Sequence, residues 1–499
     1  MKKQTLTAVL AAALLLSAAT ACGSEAQTPA ETGSVQAEQA ETEAVTEAAP
    51  ALYTDSIAPV DYNGAEFRVY TSNYINGWTN NTLINYAGEE NGEVVNDTLF
   101  ARDRYMEETF HVKLAYEVDE TGSTGTQLKL VSNSILAGDK SYHMILLDHA
   151  EICKSLSIQG MLYPLNYVDG IRLNEGYWMK KLNDKCRIGE SLYFASCAIS
   201  PRYYSSVYLV MFNRDMARDL DLPDMYDMVE SGKWTYDQMF SLAKMAVRDL
   251  NGDGKMDASD QFGAMYGSQE GYLLGAGLSL LENQNGKLVC MLNDTKTIDY
   301  LHNLCDCFQY EGVYCENRSD VDYESVINNG RALFFNPMTA DLTDYRDLPY
   351  DYGILPFPKL SEEQDGYVGF SQPWVNVTPM IPITVSGDEL SMSGTLTDAM
   401  AAYGYDYIRP AVFDNVICLK GTRDEQSARI IDLIFENVTL ELASDLHLNA
   451  LTGVFFDYLR DNLGKQDIVS SYAAQQSKID AAISDIMNTY AKNEQEILG

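Results

Sequence analysis

Basic charge is what this sequence has least of. Its 499 residues carry 35 Lys and Arg against 72 Asp and Glu, a formal net charge of -37. No face of such a chain offers cations to phosphates, which excludes nucleic-acid binding. Long apolar runs are missing beyond the first segment, so no later stretch is long enough to span a bilayer as a helix. Histidine is scarce, at His111, His143, His149, His302 and His447, and no two are spaced as helical metal ligands. A Gly-x-Ser-x-Gly elbow, a His-Glu-x-x-His pair and a Gly-x-x-x-x-Gly-Lys-Ser/Thr loop are all absent. Any ATP-driven step would therefore belong to a separate subunit. A glycan hydrolase needs only two carboxylates at a suitable separation, and the many acids leave that possibility open.

What is present begins with an export segment. Lys2 and Lys3 precede an apolar core over residues 6–19, and Ala19-Thr20-Ala21 leads into Cys22. This resembles a bacterial lipoprotein signal peptide, although Ala19 stands where such signals usually carry Leu. The resemblance implies removal of residues 1–21 and lipidation of Cys22, a membrane anchor on the outer face of the cytoplasmic membrane. Residues 22–60 are rich in Ala, Glu, Thr, Gln, Ser and Pro with no Lys or Arg. They have too little apolar area to offset their ordering entropy, and a disordered acidic linker is expected.

The rest has ordinary globular composition, with 46% hydrophobic residues over the whole chain, and length alone implies two domains. Eight cysteines besides Cys22 are scattered through it, and no pairing can be assigned. Cys305-Asp306-Cys307 lacks zinc-site spacing and reads as thiols buried on a helix. Strands are expected at 66–71, 111–116 and 142–148, separated by helices, the first with Val95, Leu99, Met106 and Phe110 near one face. That alternation indicates an α/β lobe with a largely parallel sheet, whose strand carboxyl ends would place the loop after Ser72 and Asp148 on one rim. Further strands are expected at 206–213, 332–335, 350–356 and 375–384. The C-terminal region reads as helical, ending in an amphipathic helix with Tyr472, Ile479, Ile483, Ile486 and Tyr490.

Three stretches then carry a family resemblance: residues 232–237 (Gly-Lys-Trp-Thr-Tyr-Asp), 352–358 (Tyr-Gly-Ile-Leu-Pro-Phe-Pro) and 423–428 (Arg-Asp-Glu-Gln-Ser-Ala). With the signal, the lipid Cys and the acidic linker ahead of them, they resemble the extracellular solute-binding proteins of bacterial ABC importers, closest to the large family that includes maltose-binding protein. The resemblance implies a two-lobed periplasmic-binding-protein-like α/β fold with a ligand cleft between lobes joined by crossing strands. Carried onto this chain, one lobe takes 61–198 plus 337–382 and a second, helix-rich lobe 199–336 plus 383–499, with crossings near 198–205, 334–338 and 380–384. It also implies a non-enzymatic carrier that delivers a solute, a mono- or oligosaccharide for preference, to ABC permease subunits. A peptide or other organic solute is the alternative within the class, and a secreted glycan hydrolase the alternative outside it.

Asp249, Asn251, Asp253, Lys255, Asp257 and Asp260 occupy positions 1, 3, 5, 7, 9 and 12 of a calcium loop, with Gly254 at the turn. Asp at position 12 resembles a dockerin loop, but a single loop in mid-chain points to a structural Ca2+. For the ligand, aromatic faces suit the C–H patches of pyranose rings. Trp78 and Trp374 lie in loops and are candidate platforms, while Trp178 and Trp234 read as packing residues. Asp148 and His149 at a strand end, Tyr203 and Tyr204 beside one crossing and Asn336 beside another complete the candidates. Arg202 would matter if the ligand were a uronate.

Overall fold

Alternation explains the first strand: Phe67 and Val69 turn inward, and the carboxyl half from Val69 onward is buried on both faces. The computed structural model describes residues 51–75, 80, 82–315 and 321–498. Its strands are β1 (Ala65–Ser72), β2 (Val112–Asp119), β3 (Met144–Asp148), β4 (Val207–Tyr208), β5 (Val210–Asn213), β6 (Phe262–Tyr266), β7 (Leu281–Gln284), β8 (Lys287–Cys290), β9 (Val313–Cys315), β10 (Ala332–Phe335), β11 (Tyr352–Leu355), β12 (Gly369–Ser371), β13 (Val377–Met380) and β14 (Val438–Thr439).

Two principal sheets result. The first has the order β13-β3-β1-β2, with β1 parallel to both neighbours and β13 added antiparallel from far along the chain. The second has the order β11-β5-β10-β6-β9, in which β10, β6 and β9 are parallel while β5 and β11 run against their neighbours. A small sheet β14-β12-β4 lies on the route between them, and β7 and β8 form a hairpin. The helix Val94–Phe110 buries Val95, Leu99, Met106 and Phe110, the face that the spacing predicts.

The crossing between sheets is held by buried polar groups. Arg202 is fully buried; its Nε donates to the Leu83 carbonyl and its Nη2 to that of Ser72 at 2.8 Å. Arg102 donates to the Ile199 carbonyl at 2.9 Å, and the Ser205 hydroxyl to that of Thr82 at 2.9 Å. Ser206 and Ser371 share a 2.8 Å hydroxyl bond across β4 and β12. These bonds tie the segment after β1 to the crossing, and a small apolar cluster of Leu83, Ala340 and Val375 fills the space beside them.

Several boundaries differ from the expectation. β11 pairs with β5 and so belongs to the second sheet; of residues 337–382, it is β13 that joins the first. Gly353 allows that close pairing, since a Cβ there would fall 2.2 Å from the Tyr226 hydroxyl and 2.4 Å from the Phe212 ring. The return to the first sheet consequently runs through β12, after residue 355. Within 383–499, the helix Asp388–Tyr403 packs on Val94–Phe110, and its Asp398 accepts bonds from Arg172, Tyr177 and the Trp178 indole at 2.8 to 2.9 Å. The ordered body also starts earlier than residue 61. Asp406 accepts the backbone N–H groups of Tyr53 and Thr54, and Tyr53 packs edge-on to Tyr177 and Tyr405. Trp178 and Trp234 are fully buried, as packing residues should be, with the Trp234 indole bonded to the Pro356 carbonyl at 2.9 Å.

Candidate functional site

Strand carboxyl ends of the two principal sheets meet at one cleft. β3 ends at Asp148, whose carboxylate accepts the N–H groups of Glu151 and Ile152 at 3.0 and 3.4 Å and so caps the helical segment that aims Glu151 inward. β6 ends at Tyr266, and the turn after it brings in Ser268, Gln269 and Glu270. Between them lies a cavity of about 590 Å³, completed by Tyr208, Gln372, Trp374 and, from the C-terminal segment, Ser444, His447, Asn449, Thr452, Phe456 and Arg460. A smaller recess joins it at Trp374, lined by Tyr74, Thr124, Gln127, Asp148 and Arg202. The segment after β1 and Asp148 thus share a rim at the first sheet.

Trp374 is 38% exposed, unusual for so large an apolar side chain, and it borders both spaces. Its ring meets His447 edge-on at 4.9 Å. His447 adopts a left-handed φ of 50°, and burial beside Lys154 holds its imidazole below the usual value, so a neutral ring supports the tryptophan near pH 7. Tyr208 stacks on Phe370 at 5.6 Å with an interplanar angle of 6°, which fixes a second aromatic wall.

The remaining candidates separate. His149 is fully buried, with Nδ1 3.5 Å from Asp445 Oδ1, a contact that links the end of β3 to the C-terminal segment. Tyr203 and Tyr204 are buried among Phe413 and Phe435, and neither borders the cleft: they pack the crossing. Asn336 is buried and satisfied within the protein, accepting from the Tyr272 hydroxyl at 3.1 Å and donating to the Leu209 carbonyl at 3.4 Å. Arg202 reaches the recess, yet its Nε and Nη2 bond carbonyls, and burial draws its guanidinium down to about 10 against the opposing pull of Asp148. It cannot turn to clamp a uronate without stranding those carbonyls. Trp78 lies outside the described residues.

In the Asp249 loop the side chains are turned to the backbone. Asp249 accepts from Gly252 and Gly254, Asn251 from Asp253, Asp253 from Lys255, and Asp260 from Leu250 and Asp257, at 2.6 to 2.9 Å. Gly252 and Gly254 take the positive φ that the turn requires, at 74° and 78°. Among the described residues no three acidic, histidine or cysteine side chains converge as a metal cluster. The carboxylates of the loop are thus engaged with its own backbone N–H groups.

Sequence reasoning missed Glu151, Glu270, Gln372 and the C-terminal wall. Glu151 could have been found, since it stands three residues past the strand-end Asp148. Glu270 could not, because β6 reads Phe-Gly-Ala-Met-Tyr, without alternation, and gives no sign of a strand.

Behind the cleft lies a group of buried acids. Glu441 accepts the N–H groups of Leu280, Leu281 and Ala443, yet burial and the nearby Glu270 push its carboxyl up to about 8. Glu270 bonds to the Ser444 hydroxyl and is pushed up to about 7 by burial and by Asp445. Asp445 is raised in turn by burial, with His149 drawing it back.

No protein-family model and no curated protein matches the sequence. The structure, in contrast, has many neighbours among solved ones. An ABC substrate-binding protein from Listeria monocytogenes in complex with cycloalternan superposes with a TM-score of 0.52 at 11% identity, covering 84% of this chain and 99% of that one. A cyclo/maltodextrin-binding protein complexed with maltotetraose gives 0.52 at 11%, covering 87% and 98%. The cyclic alpha-maltosyl-1,6-maltose binding protein from Arthrobacter globiformis gives 0.52 at 13%, covering 86% and 99%. The fold is the two-lobed one of periplasmic-binding proteins.

The buried acids predict a pH dependence of stability. Their carboxyls are raised above the unfolded value, so the stability they confer is complete at pH 4 and below and is lost as pH rises through about 7 for Glu270 and about 8 for Glu441. Melting temperature should fall between pH 5 and 8.5, and Glu270→Gln should remove the component near 7, on the order of 3 kcal/mol. Thermal melts across that range decide it; a mutant profile parallel to the wild type would show that Glu270 is not held neutral.

Proposed function

We propose that this chain is the substrate-binding component of a bacterial ABC importer, that it captures a carbohydrate outside the cell, and that it hands it to permease subunits. The observation that carries this reading is the cleft itself: a cavity of about 590 Å³ between the carboxyl ends of two sheets, with Trp374 exposed on its wall among Gln372, Glu151, Asn449 and Ser268. An apolar ring face beside several hydrogen-bonding groups is the chemistry that a pyranose requires, one face of C–H and a rim of hydroxyls. The structural neighbours of the same fold are described with cycloalternan, maltotetraose and maltosyl-maltose, which favours a saccharide here too. In this mechanism the ligand bridges the two sheet-centred halves, the closed arrangement is stabilised by contacts available only when both touch it, and the permease recognises that arrangement. No covalent step is involved.

Glu151 and Glu270 share the cleft, and the raised Glu270 carboxyl is what a general acid needs, so a glycan hydrolase is the second reading. One experiment separates the two. With mono- and oligosaccharides at 100 times Kd the protein should gain about 2.7 kcal/mol of stability while chromatography recovers the saccharide intact. Trp374→Ala should weaken binding about tenfold, roughly 1.4 kcal/mol, with the melting temperature of the free protein little changed. Recovery of shortened saccharides would replace capture by hydrolysis; unaltered affinity in the variant would remove Trp374 from the site.

Two further parts of the reading have their own tests. Among the described residues no helix is long and apolar enough to cross a membrane, and attachment is assigned to a lipid on Cys22 following the signal-like residues 1–21. Cys22→Ser should shift the protein from the membrane fraction to the soluble one, and retention would reject the lipid. Calcium is assigned to the loop at Asp249, Asn251, Asp253, Lys255, Asp257 and Asp260, whose side chains would turn from backbone N–H groups to the ion. Adding Ca2+ to chelated protein should raise the melting temperature in the wild type and not in Asp253→Ala, whereas equal melts with and without Ca2+ would reject it.

A further inference from the structure

The chain ends on a helix, Ile468–Leu498, none of whose residues lines the cavity. Its first turns belong with the second sheet. Asp467 caps it, accepting the Ser470 N–H at 2.9 Å and the Ser470 hydroxyl at 2.8 Å, and stands 4.0 Å from His302 Nε2. His302 lies on the helix Thr295–Phe308, whose Phe308 stacks on Tyr266 of β6 at 3.9 Å. Ile468 and Tyr472 are buried, and the terminal helix packs on β8 and on the helix Asn449–Phe456. Its last turns belong with the first sheet instead. The Tyr490 and Ser157 hydroxyls share a 2.8 Å bond, Asn493 Nδ2 donates to the Ser157 carbonyl at 3.0 Å, and the Tyr167 hydroxyl donates to Glu494. The Tyr490 ring meets that of Tyr193 at 4.9 Å. Ser157 stands on the helical run that follows β3, and the segment after Tyr193 is bonded into β13, the Ala195 N–H donating to the Thr378 hydroxyl at 3.1 Å.

From Tyr472 to Tyr490 the axis runs about 27 Å, at a rise of 1.5 Å per residue. The helix contains neither Gly nor Pro, so no kink is built into it. It therefore fixes the separation of the two regions that it joins. The attachments differ in kind. The first rests largely on apolar burial, which is non-directional and tolerates small shifts. The last rests on directional bonds in an enclosed place, with Tyr490 2% and Asn493 6% exposed. A rotation of one half that moved Ser157 by more than about 1 Å would break them and leave buried polar groups unpaired.

Resting on the reading of the cleft as one that closes on its solute, we propose that this helix is a brace, with Tyr490 and Asn493 as positioning residues that hold the cleft open through Ser157. In the braced arrangement Trp374 is 38% exposed, so the aromatic wall stands open. Ser157 has a short route to that space, because Glu151 on its rim and Ser157 belong to one continuous helical run after Asp148. Narrowing the cleft displaces that run against the far end of the terminal helix, and the bonds there set part of the cost. The brace opposes closure until the contacts of a ligand with both halves outweigh it.

Tyr490→Phe combined with Asn493→Ala removes both bonds to Ser157 and keeps a ring on Tyr193. Small-angle scattering of the ligand-free full chain and calorimetric titration with maltotetraose compare this variant with the wild type. The ligand-free variant should be the more compact, with a smaller radius of gyration, and should bind maltotetraose about threefold tighter or better. Ser157→Ala, made from the other side of the contact, should move both readings the same way by less, and Lys478→Ala, exposed on the same helix, should move neither. A role in stability alone lowers the melting temperature of the variants with scattering and affinity unaltered; that result, or weaker binding, overturns the brace. Should maltotetraose bind neither protein, that sugar leaves the proposed function and the ligand-free scattering still decides, equal radii of gyration rejecting the brace.

Discussion

A guanidinium buried on carbonyl oxygens sets the geometry on which the cleft depends. Arg202 sits on the crossing between the two sheets, and its bonds to Ser72 and Leu83 fix the segment after β1 against that crossing. Burial lowers its basicity to about 10, still well above physiological pH, so it remains charged and its side chain cannot withdraw without leaving carbonyls unpaired. Around it, Arg102, Ser205, Ser206 and Thr339 use the same device, a side-chain donor on a distant carbonyl or hydroxyl. Apolar packing alone is non-directional and would allow the rim to slide. Directional bonds at the crossing determine where the strand ends point, and hence where Asp148, Glu151 and Trp374 lie.

The aromatic wall is built on ring contacts. Trp374 stands on the edge of His447 and Tyr208 lies flat on Phe370. Burial keeps His447 uncharged, so the edge it presents to Trp374 is that of a neutral ring. Polar bonds define the frame, and ring stacking defines the surface that a ligand meets.

Sequence pattern exposed the first sheet and, of the second, β5, β10 and β11, while β6 and β9 escaped it for a physical reason. β1 to β3 are separated by clear helices, so period and punctuation agree, and the rim shared by Asp148 and the segment after Ser72 follows from topology. In the second sheet β6 and β9 are short and buried along their whole length, which leaves no alternation to detect. Trp374 was legible because it stands in a polar loop. Tyr203, Tyr204 and Asn336 were misplaced since residues beside a crossing can face either ligand or neighbours, and here neighbours satisfy them: aromatic rings for the tyrosines, Tyr272 and Leu209 for Asn336. His447, Ser444 and Arg460 come from a region that reads only as helical, all more than seventy residues past β12.

That distant segment bears on how the cleft could close. Residues 441–460 touch both halves: Asp445 pairs with His149 at the end of β3, while Ser444 bonds to Glu270 after β6 and Glu441 accepts from Leu280 and Leu281. A wall attached to both sheets by buried ionisable groups cannot follow one half freely. Any closing movement must either carry it as a unit or break these buried contacts, which leaves polar groups unpaired in the interior. Movement as a unit is therefore favoured, with His447 and Trp374 travelling together. The aromatic wall would then keep its shape through closure, and selection among ligands would fall to the polar groups around it, Glu151 and Gln372 among them.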